Sequence, residues 1–436
     1  MMGQRDPRRL VAVGLALAAL IGSMALPGHR AAAAQRVQIS YWYGIGGELG
    51  KVVQTMVARF NATHPTIHVS AEFQGSYSGG GPEQQKLLAA IASGAVPDMA
   101  QMEVNSIGQF AASGALLPID SLMKKSAVDA PSAFLPGLLL SGRYKGVQYG
   151  LPFNRSVPIL YYNAAMFQAA HIAHPPTTWP ELATDAKKLT HGSGANKVYG
   201  FNPLVDWWPW ESYTLSAGGQ FFNKDATQAT FDSEAALAPL RIQQSLVKSG
   251  YAKVNTGATY WSQNIEDLAQ GKTAMTIGSP ADMATLFKDA TPAVAKVWRT
   301  ALMPTMPGHK LIVPPGGGNA VIFKKIPQSH IQAAWTFMEW FTAPSQQVYW
   351  SEHTGYVPVT TAAVKTTAYQ RFLESHPNYK VVLRELSYLG AMPLNPHYLT
   401  MLQFVQQGLQ AVFDKLQDPA TAMHQVAMRV NGTLQS

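Results

Sequence analysis

Apolar and polar positions follow two rhythms along the chain, and the switches between them mark its elements. Val37–Tyr43 is β-branched and aromatic and predicts a strand. Past the turn at 44–47, Leu49, Val52, Val53, Met56, Val57 and Phe60 recur at helical spacing and form one apolar face. His64-Pro65 stops that helix, and Ile67–Phe73 predicts the next strand. Residues 84–91 predict a second amphipathic helix, ended by Gly94 and Pro97, and 98–104 a third strand. Strands separated by helices of this length imply right-handed crossovers and an α/β sheet. The pattern restarts near Leu151, with an extended segment over 157–163 and a helix over 164–170. After the break at Pro175-Pro176, helices are predicted over 180–189, 233–249 and 263–269. Short strands follow at 273–277 and, after a loop Pro314-Pro315-Gly316-Gly317-Gly318, at 320–323. From 328 onward the reading is almost all helix, and Trp335, Phe337, Trp340, Phe341, Tyr349 and Trp350 fall at core spacing.

The first stretch follows neither rhythm. Arg5, Arg8 and Arg9 precede an apolar or small-residue run from 10 to 26, followed by Pro27 and four alanines at 31–34. That is the layout of a secretory signal peptide, with cleavage expected after Ala34. A run of 17 residues is short for a membrane anchor. Cleavage removes four arginines and one aspartate, which lowers the net charge from +8 to +5. No basic run is interleaved with aromatics, so nucleic acid is not an expected partner. The chain has no cysteine, which excludes disulfides, Cys-ligated metals, thiol nucleophiles and a lipid anchor on an N-terminal Cys.

Few motifs carry catalytic chemistry. Gly44-Ile45-Gly46-Gly47-Glu48-Leu49-Gly50-Lys51 opens a helix after a strand, but it fits neither the P-loop nor the dinucleotide spacing. It is a tight turn or a set of free helix amides for a polar ligand. The 12 histidines are scattered without HExxH, and there is no GxSxG elbow. No metal site or cofactor is expected. Glu103, Asp206 and Glu211 are candidate carboxylates for glycoside hydrolysis, so a secreted carbohydrate-active hydrolase is the alternative function. Asp206-Trp207-Trp208-Pro209-Trp210 reads as a loop before a helix, and three indoles around a proline should not all face one core. Such indoles suit a platform for a sugar face or a cation.

The segment Leu151-Pro152-Phe153-Asn154-Arg155-Ser156-Val157-Pro158-Ile159-Leu160-Tyr161-Tyr162-Asn163, with Trp179 and Leu182 behind it, resembles the extracellular solute-binding proteins of ABC importers, of the maltose-binding type. Glu48-Leu49-Gly50-Lys51, Gly271-Lys272-Thr273-Ala274-Met275 and Thr354-Gly355-Tyr356-Val357-Pro358 match in the same order. Within that superfamily the spellings are most similar to periplasmic glycerol-3-phosphate and glycerophosphodiester-binding proteins. The resemblance implies a type II two-lobed α/β fold whose lobes, hinged on crossing segments, close on one solute. It implies no catalysis, a free periplasmic monomer, and a permease pair with a cytoplasmic ATPase as partners. The lobes are expected over 35–150 plus 282–327 and over 151–281 plus 328–436. The solute expected is glycerol-3-phosphate, a glycerophosphodiester or a small sugar. Its expected contacts are Tyr43, Tyr77, Glu103, Ser156, Trp208, Trp210, Ser279, Gly317, Tyr356 and His397. One departure stands out: the family's phosphate-pairing Arg has no counterpart in 391–398, where only His397 offers a basic group.

Overall fold

The computed structural model describes residues 36–289, 296–393 and 395–435. The expected signal peptide over 1–34 lies outside them. Strands β1 (Val37–Tyr43), β2 (Ile67–Phe73) and β3 (Met99–Glu103) run parallel, joined by helices Gly47–Thr63 and Pro82–Ser93. The first of these helices buries Val53, Met56, Val57 and Phe60, the stripe read from the sequence. A two-residue hairpin, β4 (Arg143–Tyr144) and β5 (Val147–Gln148), precedes β6 (Gly150–Ser156). A second sheet is antiparallel: β7 (Ile159–Asn163) lies between β8 (Met275–Gly278) and β9 (Trp298–Ala301). Strand β10 (Gly316–Ile322) returns to the first sheet, pairing antiparallel with β3 and β6 in the order β2-β1-β3-β10-β6.

Only Val157 and Pro158 separate β6 of one sheet from β7 of the other, so the chain crosses between the sheets there. It crosses back between β9 and β10. Each sheet has its own core. Tyr41, Phe60, Phe153, Phe337, Phe341 and Trp350 pack on the first. Leu160, Trp179, Phe201, Trp210, Leu402 and Val405 pack around the second. This is the two-lobed α/β fold expected.

Several local expectations change. The glycines 316–318 form the start of β10 rather than a loop, because a chain without Cβ atoms can lie against β6. A Cβ on Gly317 would sit 1.7 Å from the Asn154 carbonyl oxygen. The indole cluster is not a loop either: Trp207–Ser216 is a helix, and Trp207, Trp208 and Trp210 are all buried in one core cluster. Two stretches pack away from the lobes expected for them. β9 belongs to the second sheet, whereas helices Gln328–Thr342 and Pro344–Thr354 bury Phe337, Phe341 and Trp350 against Tyr41 and Phe153 of the first. Among the described residues, no helix is long and apolar enough to cross a membrane.

Candidate functional site

The segments that cross between the sheets also line a cavity of about 290 Å³. Ser156 ends β6, Ser279 follows β8, Gly316 and Gly317 open β10, and Tyr356 follows the helix ending at Thr354. The two serine hydroxyls meet at 2.8 Å. Gly317 holds φ at 89°, a conformation costly for any residue with a Cβ. The Tyr356 ring stacks on Trp350 at 5.8 Å and 5°. Gly355, with φ 78°, turns the chain at that helix end and leaves Tyr356 at the cavity.

A relay of amides holds Tyr77. The Gly44 N–H donates to Gln101 Oε1 at 3.0 Å, and Gln101 Nε2 donates to Asn154 Oδ1 at 2.7 Å. Asn154 Nδ2 then donates to the Tyr77 hydroxyl at 3.1 Å. The glycine turn after β1 makes this possible: a Cβ on Gly44 would lie 2.7 Å from the Tyr77 nitrogen. That turn is a fitting surface for Tyr77, and Gly44, Ile45 and Gly46 line the cavity beside it.

The opposite wall is acidic and aromatic. Asp206 caps helix Trp207–Ser216, accepting from the Trp208 N–H at 2.8 Å and from the Tyr260 hydroxyl. Trp208 stacks on Trp261 at 6.1 Å and 22°, and its own Nε1–H is buried without a partner. Trp261 Nε1 donates to Asp282 Oδ1 at 3.0 Å, and the Ser279 N–H donates to Asp282 Oδ2 at 2.7 Å. Both oxygens of Glu103 accept from the Gly79 N–H, at 3.0 and 3.1 Å. Burial pushes the Glu103 carboxyl up to about 8, against the pull of the Gly79 amide and with a further push from Asp206. Burial likewise raises Asp282 to about 6 and Asp206 above its ordinary value. Among the described residues no Lys, Arg or His lines this cavity.

Of the ten expected contacts, the structure brings Tyr77, Glu103, Ser156, Trp208, Ser279, Gly317 and Tyr356 around it. Tyr43 does not line it: its hydroxyl accepts from Gln54 at 2.7 Å and its ring leans on Phe73. Trp210 is fully buried between Phe221 and Phe231, two positions past Trp208 and therefore on another face of the helix. His397 is exposed at the start of helix Tyr398–Phe413 and also lies outside. Glu211, half of the carboxylate pair considered for hydrolysis, is buried on the Tyr398 hydroxyl and does not line the cavity. The departing stretch 391–393 lines a separate cavity of about 110 Å³. The Arg155 guanidinium is buried behind the wall, held by the Gly318 carbonyl at 2.8 Å and Ser141 Oγ at 2.9 Å, and burial lowers it to about 9.

Trp207, read from the sequence only as part of the indole cluster, also lines the cavity, and Trp261 and Asp282 are lining residues the sequence reading missed. For Asp282 a signal existed: Ser279-Pro280-Ala281-Asp282 is a capping-box pattern before helix Asp282–Asp289, and the Asp reaches back to the Ser279 amide. Trp261 pairs with Asp282 across 21 positions, and nothing local announces it.

Known proteins resemble the whole chain. Residues 45–348 match the model of the bacterial extracellular solute-binding protein family. The sn-glycerol-3-phosphate-binding periplasmic protein UgpB of Yersinia pestis bv. Antiqua is 25% identical over 414 residues, covering 88% of this chain and 90% of its own. UgpB of Mycobacterium tuberculosis, solved in complex with glycerophosphocholine, shares the fold with a TM-score of 0.78 at 24% identity, over 91% of this chain and 98% of that one. The GacH receptor of Streptomyces glaucescens does so at 0.80 and 20% identity, over 92% and 99%. With its two-lobed fold and a cavity walled by its crossing segments, the chain belongs to the bacterial extracellular solute-binding protein family.

Proposed function

We propose that this protein is the solute-capturing component of an ABC importer in the periplasm, and that its solute is a glycerophosphodiester with a cationic head group. One observation carries the choice of solute: among the described residues three carboxylates and three indoles line the cavity, and no basic side chain does. A free phosphate monoester would bring up to two negative charges beside Asp206 and Asp282, with Glu103 protonated up to about pH 8. Among the described residues, no Lys, Arg or His at the cavity offsets them. A diester carries one negative charge, and its cationic end suits indole faces flanked by carboxylates. Ser156, Ser279, the backbone at Gly317 and Trp208 Nε1 offer donors to the phosphate oxygens, Tyr356 offers its hydroxyl, and Glu103 accepts from glycerol hydroxyls. The cavity of about 290 Å³ is at the small end of ligand sites, which run from roughly 300 to 1,000 Å³.

The reading as a binder rather than a hydrolase rests on the same carboxylates. Asp206 and Asp282 each use both oxygens on groups of the protein. Glu103, whose oxygens share the Gly79 amide, keeps lone pairs for a solute hydroxyl, but among the described residues it has no second free carboxylate at the cavity to complete a hydrolytic pair. A general base or nucleophile needs an oxygen free to reach the reacting atom. A small neutral sugar is the second reading, favoured by the stacked pair Trp208–Trp261.

Calorimetry on the purified mature chain with glycerophosphocholine, glycerol-3-phosphate, maltose and trehalose tests the choice. Glycerophosphocholine should bind at least about 100-fold more tightly than glycerol-3-phosphate, roughly 2.7 kcal/mol. Tighter binding of glycerol-3-phosphate would overturn the charge argument, and a response to the disaccharides alone would favour the sugar reading. Turnover of any of the four would end the non-catalytic one.

A further inference from the structure

Tyr161 stands in the middle of β7, the central strand of the second sheet, opposite Thr276 of β8 and Thr300 of β9. It is fully buried in a core cluster with Leu268 and Trp298, and it does not line the cavity. A buried Tyr hydroxyl usually finds a partner. This one donates to the Ser279 carbonyl at 2.6 Å, and Ser279 does line the cavity.

Ser279 is held at each of its polar atoms. Its carbonyl oxygen also accepts from the Asp282 N–H at 3.0 Å, so both lone pairs are used. Its N–H donates to Asp282 Oδ2 at 2.7 Å. Its Oγ accepts from the Ala281 N–H at 3.2 Å and lies 2.8 Å from Ser156 Oγ. Gly278 leaves the room: a Cβ there would lie 2.6 Å from Asp282 Oδ2 and 3.1 Å from the Tyr161 ring. Ala281 and Asp282 belong to the same turn as Ser279 and move with it. Tyr161 comes from 118 positions away in the chain and ties that turn to the sheet.

The serine pair has a fixed proton count. Two hydroxyls bring two O–H groups, and their mutual bond uses one, whichever serine donates. One O–H is left for an acceptor oxygen of a solute at the wall that both serines line. Its direction depends on where Ser279 Oγ is held, and a hydrogen bond weakens steeply once misaligned.

We infer that Tyr161 is a positioning residue for solute capture: its hydroxyl anchors the Ser279 turn to β7, so that the two serines present their remaining O–H in one place. Tyr161 itself touches no solute. The inference rests on the reading of the cavity as the solute site, and not on which solute fills it. Tyr161→Phe keeps the ring in its core and removes the anchor alone.

Amide hydrogen exchange on the mature chain without solute reads the anchor directly. The amides of Ala281 and Asp282 are bonded to Ser279, so Tyr161→Phe should speed their exchange about tenfold or more and leave 205–210 as in the wild type. Rates at 281 and 282 within twofold of wild type would overturn the anchor, whatever the solute. A double-mutant cycle in calorimetry reads the positioning. With glycerophosphocholine, and with maltose in parallel, Tyr161→Phe should weaken the bound probe about tenfold in the wild-type background. In the Ser279→Ala background it should weaken it less than about twofold, because the hydroxyl it places is gone. The same fold-loss in both backgrounds is what a merely structural role predicts, and it would overturn the positioning. A wild type that binds neither probe would count against the choice of solute, and the exchange rates would then decide the inference by themselves.

Discussion

The protein has two tryptophan-rich stretches with similar burial and different surroundings. Trp350 is fully buried, and its neighbours are rings: Tyr356 at 5.8 Å, Phe341 at 5.4 Å and Phe153 at 5.2 Å. Trp207 and Trp208 are only 6% and 5% exposed, yet both line the cavity and lie against glycine backbone, Trp207 beside Gly79 and Trp208 beside Gly316, with Trp261 stacked on Trp208 alone. A Cβ on Gly316 would lie 2.4 Å from the Trp208 ring. Rings packed on rings fill space and fix a core. Rings packed edge-on to glycine leave a face open to a third body. What lies opposite an indole, rather than how buried it is, separates the core cluster from the cavity wall.

The sharpest way to break that distinction is to delete one indole from each stretch. Trp350→Ala removes a ring from a closed cluster and should cost about 3–5 kcal/mol of stability. Trp208→Ala opens onto an existing cavity, so it should cost clearly less stability. It should weaken glycerophosphocholine about 10- to 30-fold, the loss of one cation–π contact of roughly 1.4–2 kcal/mol. Chemical denaturation and calorimetry on both variants give the four numbers. Equal stability losses with equal loss of binding would mean that the two clusters are one kind of packing.

The sequence made the first stretch more legible than the second. Six aromatics between 335 and 350 fell at core spacing, and Trp335, Phe337, Phe341 and Trp350 all enter the first core. For 207–210 the expectation was an open platform, and the structure buries all three indoles while Trp207 and Trp208 line the cavity. The stretch was read as a loop before a helix, but it is the helix's first turn, where the missing N–H of Pro209 costs nothing. The cap that starts the helix, Asp206, stood in the sequence as a possible catalytic acid. Strands β1 and β2 were legible to the residue because their β-branched and aromatic runs are bounded by a glycine turn and a proline stop. β9 was not: it is four residues long and holds Arg299, and only its pairing with β7 makes it a strand. The crossing segments gave up Ser156, Ser279, Gly317 and Tyr356 through resemblance rather than periodicity. Their convergence depends on topology that no local rhythm encodes.

The last expected effect concerns the acid wall itself, and it accumulates gradually with pH. A carboxyl whose folded value is raised is favoured in its protonated form by the folded state. Between the ordinary carboxylate range and about 8, the folded chain thus holds a proton on Glu103 that the unfolded chain has lost. Stability from this group is complete at acid pH and is lost as pH rises toward 8, with a slope of at most about 1.4 kcal/mol per pH unit. Solute-free Glu103→Gln should flatten that part of the profile and gain on the wild type as pH rises from 5 to 8, in thermal melts followed by circular dichroism. Its Oε1 can still accept from the Gly79 N–H, so the substitution keeps that bond. The ring cluster around Trp350 contains one titratable group, Tyr356, which burial raises above its ordinary value of 10.0 and so out of the range from pH 5 to 8. Trp350→Ala should therefore lower the profile over that range by a constant amount. A variant at Glu103 that only shifted the profile, or one at Trp350 that bent it, would erase the electrostatic half of the contrast between the two stretches.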